Sequence, residues 1–196
     1  MNPLLQTAAN LQKFCDKHKW SMCFIGGLAV QRWGEPRFTK DADITLLTGF
    51  GKESQFIDEL LLIYPARISD AKQFAIRNRV LLLESEDSVP IDIALGALPF
   101  EEHAIERSSK FQYAPKCILN TCSAEDLIVH KSFANRPQDW FDIESILIRQ
   151  NSLLDLKLIW LELRPLAELK HDASILETLR TQVRATLGAR EVAKLR

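Results

Sequence analysis

The 196-residue chain is 46% hydrophobic and 26% charged with a formal net charge of −1, the balance of a soluble globular protein long enough for one core, or a core with a small helical appendage. No apolar run approaches the roughly 20 residues that span a bilayer, the opening MNPLLQTAANLQKFCDKHKW lacks the layout of a secretory signal, and the near-zero charge argues against a dedicated nucleic-acid module. These features lead us to expect a cytoplasmic protein with no membrane partner. Its scattered Cys15, Cys23, Cys117 and Cys122 are expected to be thiols, not a disulfide framework or zinc site.

In chain order, helical spacing of apolar residues predicts a first helix over Pro3–His18, then a short buried strand from Met22 to Ile25 ending at Gly26-Gly27. A helix follows over Leu28–Trp33, broken by Gly34-Glu35-Pro36, and a strand over Asp43–Leu47. Ser54–Ile63 reads as a helix, and Gln73–Glu84, rich in Val, Ile, Leu and Phe, as one or two strands. Past the polar turn Ser85–Ser88, VPIDIAL alternates so that Asp92 faces away from Ile91 and Ile93. A short acidic helix near Glu101–Arg107 and a strand pair around Phe111–Leu119 precede a change to helices, opened by the N-cap pattern Ser123-Ala-Glu-Asp126 and pausing near Asn135-Arg-Pro137. Two more helices, Leu153–Leu169 and Ala173 to about Leu187, end the chain. The expected fold is α+β: a small mixed sheet flanked by helices over 1–121, with a C-terminal helical bundle over 122–196 packed on it.

Asp41 and Asp43 fall two apart at the start of one strand, and Asp92 lies within another, each among apolar residues. Three partly buried carboxylates in one place repel one another unless a cation lies between them, and hard oxygen ligands favour Mg²⁺ or Mn²⁺. Gly26-Gly27, between a strand end and a helix start, is suited to turn tightly and offer backbone N–H groups to phosphate. Either feature alone has an ordinary alternative, a solvated turn or a plain strand-to-helix turn; together with Asp92 they point to phosphoryl or nucleotidyl transfer. Arg32, Arg37 and Lys40 cluster around the acidic pair, suited to charge balance, to phosphate, or to both.

The order strand, Gly-Gly, D-x-D, then Asp in an I-D-I context resembles the nucleotidyltransferase superfamily with the DNA polymerase β-type fold. It is most similar to the AbiEii/AbiGii toxin-type members, through Gly26-Gly27-Leu28-Ala29 and Arg37-Phe38-Thr39-Lys40-Asp41-Ala42-Asp43-Ile44, and through Lys131, Arg136, Asp139 and Asp142 in SAEDLIVHKSFANRPQDWFDIESIL. The resemblance spans about Phe24 to Leu147. It implies that Gly26, Gly27, Arg37, Thr39 and Lys40 serve nucleotide binding, that Asp41, Asp43 and Asp92 bind metal with Asp92 suited to act as base, and that Lys131 meets NTP phosphate while Asp142 orients or neutralises it. It also implies a toxin role with a cognate antitoxin. Two positions depart from the pattern: Gly27 stands where many members have Ser, and Thr39 where related toxins often have Ser.

For Lys131 the ordinary alternative is an exposed lysine, and for Asp142 a helical ion pair with Arg136 or Arg149. Trp33, Trp140 and Trp160 are most simply core anchors, with Trp33 or Trp140 also suited to border a base-stacking cleft. The expected function is Mg²⁺- or Mn²⁺-dependent transfer of NMP from NTP to an acceptor hydroxyl on tRNA, a protein or a small molecule. The C-terminal helices are expected to close the cleft. The alternatives are a degenerate member that only binds nucleotide or a partner, and a phosphohydrolase using the same acids.

Overall fold

The computed structural model describes residues 2–195. The chain divides into two compact units: residues up to Leu28 with Phe38–Cys122, and Ala29–Arg37 with the residues from Ser123 onward. The first holds α1 (Pro3–His18), β1 (Met22–Phe24), the opening of α2 (Gly26–Trp33), β2 (Ala42–Leu47), α3 (Glu53–Leu61), α4 (Ala71–Asn78), β3 (Val80–Glu84), β4 (Pro90–Gly96), α5 (Pro99–Glu106), β5 (Ser109–Ala114) and β6 (Cys117–Thr121). The second holds the rest of α2, α6 (Ala124–Ala134), α7 (Pro137–Gln150), a 3-10 turn (Asn151–Leu153), α8 (Leu156–Leu169), α9 (Ser174–Leu187) and α10 (Ala189–Val192). The expected α+β class, a mixed sheet with helices, is what the chain adopts.

The six strands lie in the order β3-β4-β2-β1-β6-β5. β2 and β4 run parallel, as do β1 and β6, and the other neighbours are antiparallel. Strand alternation sorts the residues cleanly. Ala42, Ile44 and Leu46 of β2, Ile91, Ile93 and Leu95 of β4, and Leu81 and Leu83 of β3 enter one core with Leu11, Ile57, Leu60 and Ala75 from the helices. Asp43, Asp92 and Leu82 therefore face the other way. Burial holds the Cys15 thiol up at about 12, with the Asp16 charge adding to it, and all four cysteines are buried free thiols.

Local chemistry sets the helix ends. Asn2 caps α1 by accepting from the Leu5 N–H at 2.8 Å, Pro3 follows at the first helical position, and Lys19 closes the helix in the left-handed region. Ser123 caps α6 through its hydroxyl, which accepts from the Asp126 N–H at 3.0 Å, as its sequence pattern predicts. Both Gly26 and Gly27 belong to α2, so that helix starts two residues earlier than its apolar pattern suggests.

One expectation fails. Residues 73–78 are helical, not strand: α4 buries the small Ala71 and Ala75, while Phe74 and Ile76 point outward. Arg79, at φ 56°, ends the helix, and only then does β3 begin. The 3-10 turn and α10 are too short to leave a periodic signal. No described helix is long and apolar enough to cross a membrane.

Candidate functional site

In the first unit the acids are ordered by the sheet. β2 and β4 pair in parallel with Asp43 directly beside Asp92, which brings two carboxylates to neighbouring positions about 5 Å apart at the backbone on one face. Asp41 precedes the strand, and its Oδ1 accepts a 2.6 Å hydrogen bond from the Thr39 hydroxyl. Asp92 Oδ1 accepts from the Arg67 guanidinium in an ion pair.

The glycine turn is fitted to these groups. The Ile25 N–H donates to the Asp43 carbonyl at 2.9 Å, bringing the start of α2 against β2. Gly26 has φ +58°, and a Cβ there would lie 1.9 Å from Asp43 Oδ2; a Cβ on Gly27 would lie 2.3 Å from Thr39 Oγ1. Neither residue can carry a side chain without displacing an acid or the hydroxyl that holds one. This accounts physically for Gly at position 27: the buried Thr39 hydroxyl fills the space that a serine there would use.

A divalent cation suits this donor set. Mg²⁺ is commonly held by one or two carboxylates and completes its octahedron with water and phosphate oxygens, and the Asp43–Asp92 pair offers hard oxygens side by side. Among the described residues, no three or more His, Cys, Asp or Glu converge into a protein cage. Asp41, bonded to Thr39, stands just before the strand that carries Asp43.

The second unit carries a buried ionic cluster. Lys131 Nζ lies 2.7 Å from Asp142 Oδ2 and 3.0 Å from Asp139 Oδ1, with all three side chains 6% exposed or less. Arg37 addresses Asp142 as a fork, Nε to Oδ1 at 2.8 Å and Nη2 to Oδ2 at 2.9 Å. Arg136 Nε reaches Asp139 Oδ2 at 2.9 Å. Burial pushes the Asp142 carboxyl up, but the hydrogen bonds and charges of Arg37 and Lys131 outweigh it and leave its pKa below the ordinary value.

Several expectations are resolved by this cluster. Lys131 is not the exposed lysine of the ordinary alternative, and Asp142 pairs with Lys131 and Arg37 instead of Arg136 or Arg149; Arg149 donates to the Gly34 carbonyl. Asp139 and Arg67 are the groups that residue-by-residue reading left without a role. Asp139 had a signal, since it stands three residues past Arg136 and its Oδ2 accepts from that residue's N–H at 3.3 Å, helping to start α7. Arg67 had none. Lys40 is exposed, and Arg32 stacks on Trp33 with its guanidinium 3.9 Å from the ring centre. Trp160 is a core residue, and Trp140 donates to Asn135 Oδ1 at 2.9 Å.

Among curated proteins, none matches the chain significantly in sequence. An antigenic nucleotidyltransferase-like protein from Paracoccidioides brasiliensis is similar in structure, with 12% identity, a TM-score of 0.51, and coverage of 96% of this chain and 95% of that one. The antibiotic-resistance factor ANT(2'')-Ia, solved in complex with adenylyl-2''-tobramycin, is similar at 16% identity and TM-score 0.51, covering 85% of this chain and 98% of that one. At such identities the likeness concerns the fold. The sequence itself matches the family described as nucleotidyl transferase AbiEii toxin, type IV toxin–antitoxin system, over residues 14–194. The chain belongs to that nucleotidyltransferase family.

Proposed function

We propose that the protein transfers NMP from an NTP to an acceptor hydroxyl and releases pyrophosphate, with Mg²⁺ or Mn²⁺ as cofactor. The observation that supports this most is the parallel register setting Asp43 beside Asp92, with the Gly26 turn packed on Asp43. A bound divalent cation would neutralise phosphate oxygens and the charge that develops on them. Asp43 and Asp92 are the residues to hold it. Asp41, fixed by Thr39, adds negative charge to the same end of β2.

Asp92 accepts the proton of the acceptor hydroxyl as the oxygen–phosphorus bond forms and the bond to pyrophosphate breaks. The backbone N–H groups of Gly26 and Gly27, at the positive start of α2, are suited to phosphate oxygens, and the resemblance of the Arg37–Ile44 stretch supports nucleotide-binding roles for Thr39, Lys40 and Arg37. The resemblance also implies that Lys131 meets phosphate and that Asp142 orients it; within the helical unit Asp142 is bonded to both Lys131 and Arg37. The family's description supports a toxin role in a pair with a cognate antitoxin.

The test is incubation of the protein and Mg²⁺ with each α-labelled NTP and cell extract. The expected result is label attached to one acceptor class, whether tRNA, protein or small molecule, with pyrophosphate as the other product. Release of free phosphate, or binding with no turnover, would overturn the assignment.

A further inference from the structure

We infer that Arg67 is a positioning residue of the transfer site, holding the Asp92 carboxylate for reaction; this rests on the function proposed above. Residues 65–67 lie in a connection between two helices, yet the backbone there is fixed as an extra edge to the sheet. The Glu84 N–H donates to the Pro65 carbonyl at 2.9 Å, Ala66 bridges Leu83, and the Arg67 N–H donates to the Leu82 carbonyl at 3.1 Å. Leu82 faces Asp92 across β3 and β4, and Asp92 faces Asp43 across β4 and β2. Arg67, Leu82, Asp92 and Asp43 therefore form one row across the sheet. The guanidinium reaches over Leu82 to bond Asp92 Oδ1.

The row has a physical reason. Two carboxylates in direct cross-strand register repel each other, and the repulsion favours rotamers that splay apart. A cation bonded to Asp92 Oδ1 fixes that rotamer and offsets the charge of the pair. An ordinary half-exposed ion pair adds little to stability. What distinguishes Arg67 is its aim, since three backbone contacts place it at the level of the acid assigned to take the acceptor's proton. Misplacing a reacting group by about 1 Å costs up to roughly 100-fold in rate.

The experiment compares Arg67→Ala and Arg67→Lys with the wild-type protein. Two quantities are read: the rate of label transfer from the α-labelled NTP to its acceptor, and Mn²⁺ binding to nucleotide-free protein followed by electron paramagnetic resonance. Arg67→Ala is expected to lower kcat about 10- to 100-fold with the KM for NTP within about threefold. Arg67→Lys keeps a donor cation near Asp92 and restores part of kcat. Mn²⁺ binds the alanine variant several-fold more tightly, because a cation has left the acidic row. Turnover of Arg67→Ala within twofold of wild type, or unchanged Mn²⁺ affinity, would overturn the inference. An Asp43→Ala control separates the two levels. If that variant is inactive while Arg67→Ala is normal, only the role of Arg67 fails; if Asp43→Ala transfers label, the function proposed for the site fails.

Discussion

Replacing Lys131 by Met removes a cation that two buried acids share, at little change in volume. Asp139 Oδ1 and Asp142 Oδ2 lie 3.0 and 2.7 Å from the same nitrogen, so these oxygens stand at most about 5.7 Å apart. At an effective dielectric constant near 20, two unit charges at that distance repel by about 3 kcal/mol. Arg37 and Arg136 stay bonded to the two acids but are far more exposed, at 36% and 75%, and offset only part of this. The expected destabilisation is about 2–3 kcal/mol, slightly below the range for breaking a buried pair by deleting one partner. Urea unfolding followed by tryptophan fluorescence measures it, and the midpoint should fall by about 1 M. A change below about 0.5 kcal/mol would show that Lys131 does not hold the two acids together.

Gly26→Ala places a Cβ at φ +58° and 1.9 Å from Asp43 Oδ2; it should lose about 1–2 kcal/mol of stability to backbone strain and most of the transfer rate as Asp43 is displaced. Gly49→Ala is its control, at φ +71° with nothing within 4 Å, and should show the strain with activity retained. The Asp142 carboxyl is depressed in the folded chain, so its contribution is present above the unfolded carboxylate pKa near 3.9 and fades as the pH falls below about 4. Acid titration of the unfolding midpoint should therefore be shallower in Asp142→Asn than in wild type, and equal slopes would contradict the role assigned to its pairing.

The glycine pair, Asp41, Asp43 and the outward face of Asp92 were legible because each depends on local spacing: a turn, an i, i+2 pair and a strand's alternation. The side-by-side placement of Asp43 and Asp92 was not, since register is set by how β2 and β4 pair over nearly 50 residues of chain. The Arg37–Asp142 fork joins positions 105 apart, and the Arg67–Asp92 bond depends on an edge that carries no periodic pattern. α4 misled for a different reason. Its buried positions are alanines, while Phe74 and Ile76 stand 37% and 42% exposed, so the large apolar residues advertise a strand that the small ones overrule.

The claim on which the rest depends is that Asp43, beside Asp92, serves nucleotidyl transfer. It is tested most directly by Mg²⁺-dependent label transfer from α-labelled NTP in Asp43→Ala, alongside circular dichroism of the same sample. The account predicts a native spectrum with transfer reduced to background; transfer at the wild-type rate by a folded Asp43→Ala protein would contradict it.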